Sequence, residues 1–414
     1  MTEKNAQQFD LIIIGAGMVG ASLVHLLKPA INAGMKVALV ERFPLRIGDV
    51  ENSPPSFDGR ATALSFGTRT ILQSLGVWQQ VETFACAIEQ IQVSEQGKLA
   101  QAQIKNSDAD VDALGFVIRN QHLGQGLLSD FPEQVALFAP QQVQKIAIQG
   151  KAGDENNAEL LLESGEALQA QLVVLADGGR SGLAKQLGIE SDKKSYQAHA
   201  LVSSVKMDRV HNHWAYERFT QAGPLAMLPL AGDEFALVWT LPDEEIEEYL
   251  HISDDEFIQR LHKTFGYRAG NILEVGERAS YPLALQQAKE QVRPHLVLLG
   301  NAAHGLHPVA GQGFNLALRD TAVLAEKINQ AFSAQDSIGS AAVVQSYLQQ
   351  QSADQRNTIL ASDALPRLFS QKNSIVSVGR SAGLLAMAAA PVARKLFARH
   401  AMGLGQKAAK IITR

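Results

Sequence analysis

The stretch that most constrains the fold runs from Asp10 to Arg42, DLIIIGAGMVGASLVHLLKPAINAGMKVALVER. In it, a short apolar run meets the pattern G-x-G-x-x-G (Gly15, Gly17 and Gly20), and a helical pattern and a second apolar run follow. Glycines at these positions permit a tight turn, close approach of the backbone to a diphosphate, and close packing of helix on strand. Glu41 closes the second run 21 residues after Gly20, where a carboxylate can bond an adenosine ribose. This order predicts a dinucleotide-binding βαβ unit, but it does not separate a nicotinamide from a flavin dinucleotide.

Apolar runs typical of strands buried on both faces occur three times along the chain, as FDLIIIGAG, QLVVLADGG and HLVLLGNAAH. A helical pattern follows each run, which indicates a parallel sheet covered by helices. Between about residues 186 and 282 the chain changes to short segments of mixed polarity that end near Gly, Pro or Asp, which favours antiparallel strands. The predicted fold class is α/β (α+β overall), with a Rossmann-like nucleotide-binding domain, an inserted antiparallel-sheet domain and C-terminal helices.

The predicted domain organisation alternates between two units, for which a chain of 414 residues has room. The nucleotide-binding domain takes residues 1–80, 104–185 and 283–360, the inserted domain takes residues 81–103 and 186–282, and C-terminal helices take residues 361–414.

Composition and charge exclude several classes of protein. With 46% hydrophobic and 19% charged residues the chain is globular, and its net charge of −5 provides no general attraction to nucleic acid. One cysteine, Cys86, excludes an internal disulfide. The N-terminus has no apolar signal core, and no run approaches the ~20 apolar residues that span a bilayer. We therefore expect a cytoplasmic protein.

Histidine pairs occur at His211 and His213 and at His304 and His307. Neither a cysteine nor a carboxylate lies at ligand spacing beside the second pair, and two imidazoles alone seldom form a metal site. We therefore predict no metal centre. His211 and His213 are expected at the surface or at a domain edge, and His304 in a loop near the cofactor.

Two further motifs follow the later strands. Asp177 lies in LADGGRS, and a third motif, LLGNAAHGLHPVAGQGFNLALRDTAVLAE, combines a strand end, a loop with proline and glycines, and a helix that begins near Phe314. Backbone N–H groups at such a helix start can bind an anion or the pyrimidine edge of a flavin. Gly311 and Gly313 permit the backbone to approach a flat ligand. The third motif therefore favours a flavin.

With these motifs, the chain resembles the p-hydroxybenzoate hydroxylase class of flavoprotein aromatic monooxygenases, whose three FAD motifs occur here in order between Leu11 and Glu326. The segments FDGRATALSFGTRTILQSLGVW, YERFTQAGPLAMLPL and GNAAHGLHPVAGQGFNLALRD are most similar to the hydroxylases of ubiquinone biosynthesis. The broader class has Asp where this chain has Asn301, whose amide accepts a hydrogen bond from a ribityl hydroxyl without charge assistance.

The resemblance implies that FAD is the cofactor and assigns its contacts. The adenosine diphosphate is assigned to Gly15, Gly17, Gly20 and Glu41, further FAD contacts to Arg60 and Asp177, the ribityl chain to Asn301, the flavin ring to Pro308, Gly311, Gln312 and Gly313, and the pyrimidine oxygen to the N–H groups of Phe314 and Asn315.

By the same resemblance, NAD(P)H reduces FAD, O₂ adds at flavin C4a, and the hydroperoxide hydroxylates a prenylated phenol. Within the family, similarity is greatest to enzymes that convert 2-polyprenyl-6-methoxyphenol to 2-polyprenyl-6-methoxy-1,4-benzoquinol. Only one glycine fingerprint is present, so NAD(P)H is expected to bind transiently as a co-substrate. The catalytic residue is unknown. Tyr216 and Arg218, on one face of a predicted strand, are candidates for the phenol pocket, and a solvated strand is the alternative.

Two alternatives stay open at this point. The first is another flavoprotein on the same scaffold, either a hydroxylase of a different ring carbon or a prenyl-lipid reductase. The second is a catalytically idle FAD-binding scaffold protein. Expected partners are the prenylated phenol and O₂, with no nucleic acid. Because a polyprenyl substrate resides in lipid, we also expect transient contact with the inner face of the membrane and association with other ubiquinone-biosynthesis proteins.

Overall fold

The computed structural model of the protein describes residues 6–45, 54–148, 158–306 and 311–370, the last six by backbone alone, together with residues 390, 395 and 402. The strands are β1 Gln7–Ile14, β2 Val37–Val40, β3 Ala61–Ser65, β4 Cys86–Ile88, β5 Gln90–Glu95, β6 Gln101–Lys105, β7 Gly115–Arg119, β8 Ala136–Phe138, β9 Val143–Ile148, β10 Ala158–Leu162, β11 Ala167–Leu175, β12 Ser191–Met207, β13 Trp214–Phe219, β14 Pro224–Pro229, β15 Glu234–Pro242, β16 Ile272–Val275, β17 Ala279–Ala288, β18 Val292–Arg293, β19 Leu296–Leu298 and β20 His304–Gly305. The α-helices are α1 Met18–Leu26, α2 Lys28–Asn32, α3 Phe66–Ser74, α4 Trp78–Val81, α5 Asn120–Ser129, α6 Leu183–Gln186, α7 Ile246–His251, α8 Asp254–Phe265, α9 Gln312–Ser333 and α10 Ala341–Ser370.

The nucleotide-binding unit is built on a sheet in which β19, β11, β1, β2 and β8 lie side by side and parallel. The end of β1 is buried on both faces, as its unbroken apolar run predicts. Leu11 and Ile13 belong to a core with α1, α5 and α9, whereas Ile12 and Ile14 belong to a second core with β9, β10 and α6. The predicted parallel sheet is confirmed, although antiparallel strands contribute to the cover of its second face.

A nine-stranded sheet forms the second unit, in the order β20-β17-β12-β15-β14-β13-β5-β6 with β16 beside β12. Its neighbouring strands are antiparallel apart from β13 and β5, so the predicted antiparallel unit is confirmed. One face packs on α7 and α8 through Leu201, Trp239 and Phe257. Its strands come from residues 90–105 and 191–305. The domain boundaries given above stay a prediction.

A small third sheet, in the order β3-β7-β4, contacts both units, because β3 lies against α9 and β4 lies against β14. No helix among the described residues is long and apolar enough to cross a bilayer. Most of the predicted C-terminal helical segment, 361–414, lies outside those residues.

A buried polar cluster joins α9 to α10 and to β20. Nε2 of His304 lies 2.7 Å from Oδ2 of Asp320. Gln351 and Gln355 donate to the same carboxyl group at 2.8 and 3.0 Å. All four side chains are buried. His304 is therefore a strand residue held in the interior, and the prediction of a loop position is wrong, because a buried imidazole needs a polar partner that Asp320 provides.

The cluster predicts a stability effect. Asp320→Ala is expected to lower the free energy of unfolding by about 3–5 kcal/mol, because three buried polar side chains lose their common acceptor. The matched change at the exposed Asp336, after α9, is expected to alter it by less than about 0.5 kcal/mol. Urea denaturation of both FAD-free variants measures the difference, and equal stabilities would contradict the assigned role of the cluster.

Candidate functional site

A cavity of about 1720 Å³ lies between the parallel sheet and the nine-stranded sheet. Its lining includes the loops that follow β1 and β11, the end of β2, strand β3, the start of α9, and strands of the nine-stranded sheet. The carboxyl ends of the parallel strands open onto it, which is where open α/β sheets bind their ligands. Every predicted FAD contact that the structure describes borders this cavity except Gly20, and Pro308 lies outside the described residues.

The glycine turn after β1 has the geometry that the sequence predicts. Gly15 has a φ of +104°, which favours glycine, and a Cβ at Gly20 would lie 1.9 Å from the Gly15 carbonyl oxygen. Gly17 is the N-cap of α1 and no side chain caps this helix, so its first turn can bind an anion. The buried hydroxyl of Ser56 lies 2.9 Å from where a Cβ on Gly17 would be, and it has no hydrogen-bond partner among the described residues.

Glu41, buried at the end of β2, fixes the glycine turn. Its Oε2 atom accepts a hydrogen bond from the N–H of Ala16 at 2.7 Å, and its Oε1 atom accepts one from the N–H of Phe43 at 3.0 Å. Each carboxylate oxygen has a second lone pair. Glu41 can therefore hold the turn and still accept a hydrogen bond from a ribose hydroxyl in the cavity.

The loop after β11 is braced by Asp177. Its Oδ1 accepts from the N–H of Gly179 at 2.9 Å and its Oδ2 from the N–H of Ser181 at 3.0 Å. Because both oxygens bond to backbone of the same loop, Asp177 fixes the loop where it borders the cavity.

The start of α9 is a second uncapped helix end at the same cavity. Gly311, its N-cap, has a φ of +62°, and no side chain caps the helix. The buried Asn315 holds the first turn on β3: its Oδ1 accepts from the N–H of Ser65 at 2.8 Å, and its Nδ2 donates to the carbonyls of Ala63 and Gly311 at 2.9 and 2.8 Å. The side chain of Asn315 is therefore a clamp, and its helix turn presents backbone N–H groups to the cavity.

The other two predicted FAD contacts, Arg60 and Asn301, lie in different parts of the cavity wall. Nε of Arg60 lies 2.6 Å from Oδ2 of Asp58, and its guanidinium lies 4.5 Å from the centre of the Tyr281 ring. The guanidinium is thus held at the cavity wall by an ion pair and a ring. Asn301 is exposed in a 3-10 helix, Gly300–Ala302, at the end of β19.

The two phenol-pocket candidates lie on the face of β13 that packs against α8. Nε of Arg218 donates to the carbonyl of Thr264 at 2.8 Å, and Arg218 does not border the cavity, which corrects its predicted place. Tyr216 borders the cavity, but its ring packs against Phe235 and Phe265, with centroid distances of 6.0 and 5.5 Å. Its role in a phenol pocket stays a prediction.

The residue between them, Glu217, was missed by sequence reasoning. It is half-buried, borders the cavity, and forms no hydrogen bond or ion pair with the described residues. Burial raises the pKa of its carboxyl group to about 7. The sequence signal that could have found it is the period of two in a strand, which places Glu217 on the face opposite to Tyr216 and Arg218.

Cys86 lies beside His211 and His213, a grouping that the sequence did not predict. Its Sγ is 3.9 Å from Nε2 of His211 and 3.9 Å from Nδ1 of His213. The same two nitrogens lie 2.6 Å from the Leu230 carbonyl and 3.1 Å from the Ala87 carbonyl, so each carries a proton. Burial raises the pKa of the Cys86 thiol to about 11. These side chains form a cluster in which both imidazole nitrogens nearest the thiol are bonded to backbone carbonyls. His211 is buried and His213 is half-buried, at positions that the sequence predicted for the surface or a domain edge.

The comparisons with known proteins agree with this site. Residues 8–352 match the family model described as FAD binding domain. The chain is 32% identical to the ubiquinone hydroxylase UbiL of Rhodospirillum rubrum over 95% of this chain and 89% of that one. It is 29% identical to the 3-demethoxyubiquinol 3-hydroxylase of Escherichia coli, over 96% and 99%. The structure of PqsL, a probable FAD-dependent monooxygenase from Pseudomonas aeruginosa, has a TM-score of 0.75 at 20% identity, covering 92% of this chain and 100% of that one.

The chain therefore belongs to the FAD-binding-domain family and is an FAD-dependent monooxygenase. Its residues fit the cofactor: the cavity has two glycine-capped helix starts, and the buried hydroxyl of Ser56 beside Gly17 lacks a partner within the described residues. Anionic and acceptor groups of a dinucleotide can satisfy all three.

Gly17 provides a test of this placement. Gly17→Val is expected to weaken FAD binding about tenfold or more, because the new side chain occupies the backbone's approach to the diphosphate and meets Ser56. The control Ala33→Val adds the same side chain at an exposed position after α2. Absorbance of bound flavin after desalting measures the effect, and an equally yellow Gly17→Val protein would contradict it.

Proposed function

We propose that the protein hydroxylates the ring of a polyprenylated phenol in ubiquinone biosynthesis, using NAD(P)H and O₂, with 2-polyprenyl-6-methoxyphenol as substrate and 2-polyprenyl-6-methoxy-1,4-benzoquinol as product. The observation that carries this proposal is the continuity of the cavity from the FAD residues onto an apolar surface of the nine-stranded sheet. That surface includes Ile91, Val93, Ile104, Leu228, Val238 and, from the C-terminal segment, Met402. The names of the two relatives above, both hydroxylases of ubiquinones or their precursors, support it.

We propose the following division of the cavity. Gly15, Gly17 and Glu41 bind the adenosine diphosphate, with Gly20 allowing the turn and Ser56 bonding the diphosphate. Asn301 and the start of α9 (Gly311, Gln312, Gly313, Phe314 and Asn315) hold the ribityl chain and flavin ring, as Pro308 does by resemblance, and Arg60 and Asp177 border the remaining cofactor surface. When bound, FAD supplies the electron transfer and oxygen activation that amino-acid side chains lack.

The remaining residues bind the phenol and exclude water. An apolar wall accommodates a prenyl tail, whose burial contributes about 0.8 kcal/mol per CH₂ group. Water exclusion favours transfer of oxygen to the ring over wasteful release of peroxide. NAD(P)H binds transiently, since the described residues contain one glycine fingerprint and that site holds FAD. Contact with the membrane surface and with other biosynthetic proteins stays a prediction.

A second candidate is hydroxylation at another ring carbon in the same pathway. The name of the Escherichia coli relative, a 3-hydroxylase of 3-demethoxyubiquinol, favours it. The two candidates share the cavity, cofactor and oxygen chemistry, and they differ in which ring carbon faces the flavin.

Product analysis tests the function. With FAD, NADH or NADPH, and isotopically labelled O₂, the protein is expected to convert 2-prenyl-6-methoxyphenol to a product that contains one labelled oxygen atom. Nuclear magnetic resonance of the product identifies the hydroxylated carbon and separates the two candidates. Oxidation of NAD(P)H that yields peroxide with this phenol and also with demethoxyubiquinol would contradict the proposal.

The apolar wall makes a separate prediction. The wild-type kcat/KM for 2-prenyl-6-methoxyphenol is expected to exceed that for tail-less 2-methoxyphenol by about tenfold or more, because the tail is buried. Leu228→Gln should reduce this preference, whereas Leu273→Gln, at a position that is 55% exposed in the same sheet, should preserve it. Steady-state kinetics with both phenols measures the ratio, and an unchanged preference in Leu228→Gln would place the tail elsewhere.

A further inference from the structure

Glu217 is an acid with an unusual position. It lies in the middle of β13, between Ala215 and Phe219 on the strand face that borders the cavity. Its paired neighbours are Val93 on β5 and Ala226 on β14, which are both apolar and also border the cavity. Residues directly opposite on paired strands share a face. The carboxyl group is therefore a single polar group within an apolar part of the wall.

No protein partner accounts for this carboxyl group. It forms no hydrogen bond and no ion pair with the described residues, and the half-buried side chain borders the cavity. The nearest cation along the strand, Arg218, is directed to the other face and bonds to Thr264. An unpartnered carboxyl at a cavity wall is most simply explained by a ligand that brings a hydrogen-bond donor.

We propose that Glu217 binds the phenol hydroxyl of the substrate, first accepting its hydrogen bond and then taking its proton. This inference rests on the proposed function, because a phenol is the donor that the substrate offers in an otherwise apolar pocket. The prenyl tail and the ring can pack against the neighbouring apolar side chains, and the phenol hydroxyl can hydrogen-bond to the carboxyl group of Glu217. Glu217 would then be a catalytic residue and would orient the ring as well.

The proton transfer balances simply. The O–H bond of the phenol breaks, its electron pair stays on the phenol oxygen, and a new O–H bond forms on the carboxylate of Glu217. The retained electron pair raises the electron density of the ring, which favours attack on an electrophilic oxygen atom. NAD(P)H supplies the two electrons for O₂; one oxygen atom enters the ring, and the proton released by Glu217 leaves with the other as water.

The surroundings of Glu217 set its protonation behaviour. Burial alone raises the pKa of its carboxyl group to about 7, and no charged neighbour contributes. A base with a pKa near the working pH is the most effective proton acceptor. On the adjoining strand β5, Glu95 pairs in register with Phe219, and on β15, two strands away, Glu234 is bound to Arg119 at 2.9 Å. The other charged residues at the cavity are Glu41, Arg42, Asp58, Arg60, Arg119, Asp177, Arg180 and Glu277.

The test compares Glu217→Gln and Glu217→Leu with the wild type and with Glu274→Gln, an exposed control in the same sheet. The probes are 2-prenyl-6-methoxyphenol and the same compound with its hydroxyl methylated. Glu217→Gln is expected to lower kcat about 100-fold, because the amide accepts a hydrogen bond but not a proton. Perturbation of the flavin spectrum measures binding. The wild type should prefer the phenol over its ether about tenfold, and Glu217→Leu should lose that preference.

The pH dependence provides a signature that a structural role would not produce. The wild-type kcat/KM should rise as the pH passes about 7, and Glu217→Gln should lack this rise. Because the folded-state pKa of about 7 lies above the ordinary value of 4.5, the wild type loses stability as the pH rises between these values. Glu217→Gln should therefore melt at a higher temperature than the wild type at about pH 8, and at a similar temperature at about pH 4.

The outcomes separate the two claims. A wild-type protein that neither binds nor hydroxylates the phenol overturns the proposed function, and this inference with it. A wild type that hydroxylates it, together with a Glu217→Gln variant of unchanged kcat and pH profile, overturns the role of Glu217 alone. Equal loss of kcat in Glu274→Gln would also overturn it, because the effect would then not be specific to the cavity wall.

Discussion

Backbone N–H groups at the starts of α1 and α9 are the groups on which the site depends. Both helices have glycine at the N-cap, and neither has a side chain that satisfies its first turn. Glycine at the N-cap costs only a few tenths of a kcal/mol relative to a good capping side chain, so the fold can leave two helix starts at one cavity whose N–H groups a ligand can bind. A dinucleotide offers anionic phosphates for one start and ring acceptors for the other, which explains why the fold tolerates both.

Positioning these two helix starts requires internal hydrogen bonds that do not involve the cofactor. Glu41 accepts a hydrogen bond from the N–H of Ala16 in the glycine turn before α1, and Asn315 bonds to Ser65 and Ala63 of β3. Glu41 was predicted as a cofactor contact and Asn315 was predicted to contact the cofactor through its backbone N–H, and in the structure both side chains are bonded to the protein backbone. The features shared with FAD enzymes therefore include side chains that hold the two helix starts in place as well as groups that contact the cofactor.

The parallel sheet, the inserted antiparallel sheet and the glycine turn were predictable because each depends on local pattern. An unbroken apolar run marks a strand buried on both faces, and the glycine spacing satisfies a steric requirement within a few residues. The face of β13 was harder to predict. The alternation of side chains along a strand shows that Tyr216 and Arg218 share a face. Only the packing of α8 shows that this face is covered and that Glu217, on the other face, borders the cavity. The cluster at Cys86 and the partner of His304 depend on contacts between distant segments, which no local pattern records.

One cavity is expected to hold one FAD through both helix starts. Competition titration of the FAD-free protein tests it most directly, with calorimetry to follow FAD binding in the presence of ADP or of riboflavin. We expect one FAD to bind per chain and to be displaced by ADP from the α1 end and by riboflavin from the α9 end. ADP or riboflavin that binds without weakening FAD would show that the two helix starts serve separate ligands.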